Sequence, residues 1–168
     1  FDRLENAAQA AAVAREMSAI ACDLMDRRLL TIARDLDSRY RRLIPIEAEA
    51  MLLVEVEGES ATDVRDKLEQ LIRTIHHRQH LAFESWRASG PEETSLAWDL
   101  TRNVVPRLYR LEGSARPLPF VEDVAVPPDK LPEFLTGLQN TLKHHQVTAS
   151  LFGHAGHGQL PIRPFLNL

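Results

Sequence analysis

The stretch RPLPFVEDVAVPPDKLPEFLTGLQNTLKHHQVTASLFGHAG, residues 116–156, decides the fold. In its first part Leu118, Phe120, Val124 and Val126 fall on one side of an extended segment, the period-two pattern of a half-buried strand. Asp129 then stands where a helix cap belongs, and Leu131, Leu135, Leu138 and Leu142 recur at helical spacing. Lys143, His144 and His145 fill the last turn, where positive charge suits the helix dipole. VTASLFGHAG, residues 147–156, returns as a strand that breaks into a glycine–histidine turn, and residues 160–168 read as a further strand.

Upstream the same alternation recurs. In residues 47–60, EAEAMLLVEVEGES, Ala48, Ala50, Leu52, Val54 and Val56 alternate with Glu49, Met51, Leu53 and Glu55. Ser60 and Asp63 form a capping-box pattern before a helix whose stripe is Val64, Leu68, Leu71 and Ile75. Residues 78–91 offer a short strand and a turn at Gly90 and Pro91, and residues 92–111 a helix interrupted at Pro106. The first forty residues are alanine- and leucine-rich and read as helices with a break near Cys22. The expectation is an α+β fold: a ferredoxin-like antiparallel sheet with helices on one face, preceded by N-terminal helices. Residues 1–45 would be a helical lead-in, and residues 46–168 the main domain.

Composition narrows the class. Hydrophobic residues make up 44% and charged residues 26% of the 168, ordinary for a globular domain. The formal net charge of -4 argues against a nucleic-acid partner, which calls for a basic surplus. Cys22 is the one cysteine, so neither an internal disulfide nor a cysteine-based zinc cluster can form, and the thiol reads as a small buried hydrophobe. The chain opens on Phe1 and runs directly into helical sequence. It reads as a piece of a longer polypeptide with a cytoplasmic location, peripheral attachment at the inner membrane face being the variant.

Residues 116–168 resemble the C-terminal domain of FAD-linked oxidases, which includes D-lactate, glycolate and D-2-hydroxyglutarate dehydrogenases; the resemblance is strongest from about Trp98 to Leu168 and extends to the strand at residues 48–60 and the helix after it. The match joins the EDVAVP segment, a helix and the GHAG strand end in order, and the following HG is most similar to large members fused to iron–sulfur domains. The resemblance implies a substrate-cap domain, residues 46–168, working beside an upstream FAD-binding domain of the same polypeptide. It implies FAD as cofactor, a small D-2-hydroxy acid of D-lactate or glycolate type as substrate, and an unidentified electron acceptor. The alternative is a ferredoxin-like ligand-binding or interaction domain that has lost catalysis.

Hydroxy-acid oxidation asks for a proton acceptor at the hydroxyl, a cation for the carboxylate, and glycine where backbone approaches flavin or substrate. The resemblance assigns the first role to His154, with His157 assisting. Arg102, Glu122, Gln159 and Arg163 are the candidates for substrate binding, and Gly153 and Gly156 for approach to the cofactor. In metal-containing relatives His154 would be a ligand and a second histidine would follow seven residues later. That position is Pro161, so a metal site of family type is incomplete. Thr101 stands where such relatives place an arginine for the substrate carboxylate, with Arg102 beside it. His76, His77, His80, His144 and His145 read as solvated helix ends.

Overall fold

The structure, a computed structural model, describes residues 1–167; Leu168, the last residue of the expected final strand, lies outside the described residues. The glycine–histidine turn hangs from strand β4, Thr148–His154. On one side β4 pairs with β5, Ile162–Leu166, which sets Ser150 opposite Arg163. On its other side lies β1, Ala21–Asp26, with Asp23 opposite His154. β2, Ala50–Glu55, flanks β1, and the short β3, Arg116–Pro117, flanks β5. The sheet order is β2-β1-β4-β5-β3 with every pairing antiparallel. The α+β class and the antiparallel sheet are as the pattern predicts.

The N-terminal region departs from expectation. Helices α1 (Leu4–Glu16), α2 (Arg27–Leu36) and α3 (Ser38–Leu43) form, but Ala21–Asp26 is a strand with neighbours on both sides. The helical reading of residues 1–45 fails there because ACDLMD holds helix-favouring residues in a place where burial overrides propensity. Five of its six residues are buried, as a central strand covered on both faces requires. α1 stops without a glycine: Ser18 takes the left-handed conformation at φ 64, and the Ala19 N–H returns to the Ala14 carbonyl.

Two further readings change. Prolines 117, 119, 127 and 128 strip donors from residues 116–128, leaving β3 and the single bridges Val121–Ile162 and Ala125–Gln159. Residues 79–90 form no strand, and helix α5, Pro91–Leu108, runs through Pro106 without a break. Helix α4, Ala61–Ile72, is capped as expected, with the Asp63 N–H donating to Ser60 Oγ at 3.1 Å.

Strand alternation sorts the side chains into two cores. Leu24, Ala50, Leu151 and Ile162 meet α1 and α6, Leu131–His144, where five fully buried alanines let α1 lie close. On the opposite face Met25 and Phe152 meet α2, α3 and α5 through Leu29, Tyr40, Leu100 and Val104. The helices thus form one layer on α1 and α6 and a second group over part of the other face. His154, two residues beyond Phe152, stands on that second face.

Candidate functional site at the end of β4

Asp23 and His154 are cross-strand partners, so their side chains rise side by side. His154 Nδ1 lies 2.6 Å from Asp23 Oδ1. A carboxylate accepts, so Nδ1–H donates, and in the neutral ring the lone pair is on Nε2. Asp23 is 6% exposed and the imidazole 60%, which anchors one nitrogen in the sheet and leaves the ring open to a ligand.

The turn that follows is pinned by its own backbone. Gln159 N–H donates to the His154 carbonyl at 3.2 Å, and Val126 N–H to the Gly158 carbonyl at 2.9 Å. Gly158 has φ 72, and a Cβ there would strike the Val126 carbonyl. At Gly153 a Cβ would come within 2.9 Å of Leu160 Cα and Pro161 Cδ, and at Gly156 within 3.1 Å of Cys22 Cβ. Close packing of the chain on itself is thus one reason for glycine at 153 and 156. His157 and Gln159 are exposed on this turn and make no side-chain hydrogen bond among the described residues.

Arg163 and Glu122, both expected at a substrate site, meet on the same sheet face. Arg163 Nη2 donates to Glu122 Oε2 at 3.2 Å and Nε donates to the Tyr109 hydroxyl at 2.7 Å. Arg163 is 12% exposed, and its Nη1 and Glu122 Oε1 are buried without a partner among the described residues. Arg163 sits opposite Ser150, four residues short of His154 along β4, or roughly 13 Å. Arg102 is not brought to this face; it lines a separate cleft with Arg39, Arg107 and Arg110.

Among the described residues no three of His, Cys, Asp and Glu converge on one point. With Asp23 on Nδ1, His154 has only Nε2 to offer, and Pro161 brings no donor where the family pattern has its second histidine. A single imidazole nitrogen among the described residues does not make a metal centre. Cys22, behind Gly156, is buried, and burial pushes its thiol up to about 12, so it stays protonated and unreactive.

Asp23 escaped the sequence reading. Its signal was an acid inside the apolar run ACDLMD, which becomes telling only once that run is a buried strand.

The whole chain, residues 1–168, matches the family model for FAD linked oxidases, C-terminal domain. It is 27% identical to a D-2-hydroxyglutarate dehydrogenase of Pantoea ananatis, covering 100% of this chain and 17% of that protein. It is 31% identical to one of Pseudomonas putida over 69% of this chain and 12% of the relative. A third, from Escherichia coli, is 25% identical over 100% of this chain and 18% of its own length. The chain thus spans less than a fifth of these curated relatives. By this match over its whole length, the chain belongs to the FAD-linked oxidase family as its C-terminal domain.

Proposed function

We propose that this chain is the substrate-side domain of an FAD-dependent oxidoreductase that oxidises a D-2-hydroxy acid. The observation that carries the reading is the exposed His154 imidazole held by buried Asp23. With Nδ1 engaged, Nε2 accepts the substrate hydroxyl proton, and Asp23 offsets the positive charge that develops on the ring. Flavin, when bound, supplies the hydride-accepting chemistry for the carbinol C–H. Arg163, directed by Glu122 and Tyr109 but roughly 13 Å along the sheet from His154, is the cation on the same face for a carboxylate remote from the reacting hydroxyl, as a dicarboxylate offers. An FAD-binding domain elsewhere in the polypeptide and a separate electron acceptor complete the reaction. The relatives are named for D-2-hydroxyglutarate, which adds a dicarboxylate to D-lactate and glycolate as substrates to test.

The test is His154→Ala in the intact flavoprotein, assayed with each of those three acids. Loss of a positioned base lowers kcat/KM by about 100-fold or more while flavin content stays normal. Asp23→Asn keeps the imidazole but loses its acceptor, and lowers kcat by about 10-fold with a smaller change in KM. A change below about threefold for His154→Ala would make the histidine structural. Wild-type protein that reduces no flavin with any hydroxy acid would favour the non-catalytic alternative.

A further inference from the structure

α5 carries a second chemistry away from His154. Asp99, Arg102 and Arg107 fall on one flank of the helix, and Arg110 follows in the turn just past its end. With Asp37 and Arg39, at the corner between α2 and α3, they line a cleft of about 410 Å³. Neither Asp23, His154 nor Arg163 lines it.

The charges in this cleft do not cancel. Asp37 is taken by Arg39, whose Nε and Nη2 donate to Oδ2 at 2.9 and 2.6 Å while its N–H donates to Oδ1 at 2.8 Å. Arg102, Arg107 and Arg110 form no ion pair among the described residues. Four arginines against two aspartates leave the cleft with two positive charges in excess. The chain has 24 acidic and 20 basic residues, yet the one carboxylate in the cleft besides Asp37, that of Asp99, makes no ion pair with this trio among the described residues. Guanidinium groups present paired N–H donors that match carboxylate and phosphoryl oxygens. The volume falls in the range of small-ligand sites.

We propose that this cleft binds a small oxyanion carrying two negative charges, as a phosphoryl group or a dicarboxylate, at a site separate from the one that holds His154. The arginines are exposed, so the affinity lies in the micromolar-to-millimolar range and weakens with salt. Calorimetric titration of the chain with inorganic phosphate, pyrophosphate and glutarate, each at low ionic strength, tests this. We expect saturable one-to-one binding in at least one arm. It weakens about tenfold or more in Arg102→Gln/Arg110→Gln and is unchanged in Arg65→Gln, which lies on α4. Tighter binding of phosphate or pyrophosphate identifies a phosphoryl ligand, and tighter glutarate a dicarboxylate. No saturation in any arm overturns the proposal. So does equal affinity in the double variant, or in Arg107→Gln if the double variant loses its helical circular dichroism. Glutarate binding lost in His154→Ala but kept in the arginine variants would place that ligand at the other site and also overturn it.

Discussion

Asp26 shows what one buried carboxylate does between two strands. Its Oδ1 accepts from Leu29 N–H at 3.1 Å and from Ser150 Oγ–H at 3.0 Å, and its Oδ2 from Leu151 N–H at 2.9 Å. Burial pushes its carboxyl above the usual 3.8, while those three hydrogen bonds and Arg28 pull it back. The folded protein therefore holds this proton more tightly than the unfolded chain. The associated stability is complete below the usual aspartate value and is lost as pH rises through the raised folded value. Denaturation from about pH 4 upward should show wild type losing part of its advantage over Asp26→Asn as pH climbs. Asp26→Asn should itself cost about 1–3 kcal/mol, since its amide turns a donor toward Leu151 N–H. A gap between the two proteins that stays level with pH would refute the assignment. At this scale the sequence showed half of each pair. His154 was legible because glycines and a family pattern surround it, whereas Asp23 lies 131 residues away in a run with a helical look.

Elements were legible where punctuation was explicit. Ser60 announced α4 and the leucine stripe announced α6. β1 was hidden because its helix-favouring residues follow a left-handed turn made by Ser18 instead of glycine. Pro106 was over-read. It removes one hydrogen bond two residues before the end of α5, too late to stop the helix. The glycines divide by element in a way that stability measurements can check. Gly153→Ala pushes a methyl into the backbone of residues 159–161 and should destabilise by about 1–3 kcal/mol. Gly137 lies inside α6 with open space around it, so Gly137→Ala should stabilise by about 0.5–1 kcal/mol. Thermal melts that rank the two variants in the opposite order would show that the turn after β4 is less tightly determined than its contacts imply.

Across the whole molecule, one edge of the sheet stays open. β2 has a neighbour on one side only, and an apolar groove of about 360 Å³ runs beside it, lined by Leu53, Val54, Leu68, Phe83 and Trp86. Trp86 is 38% exposed there. An environment-sensitive apolar dye should brighten on mixing with the chain and quench the tryptophan emission, and Trp86→Ala should weaken both signals. Unchanged dye emission would mean that the groove is closed in solution. No helix among the described residues is long and apolar enough to cross a membrane.

The pairing of β1 with β4 bears on the order of events during synthesis. The middle of the sheet joins residues 23–25 to residues 152–154, so its first strand leaves the ribosome long before its partner. Loop closure over such a span must precede any reward from the pairing, which slows folding. Until then ACDLMD can pair only with β2, and its other edge stays open to non-native partners. The alanine-rich α1 can form early and pack on β1 and β2, but the rest of its buried face waits on α6 and the turn after β4. The dyad that joins Asp23 to His154 is thus assembled among the last contacts of the nascent domain, and a stall in translation shortly before residue 148 would leave its acidic half stranded.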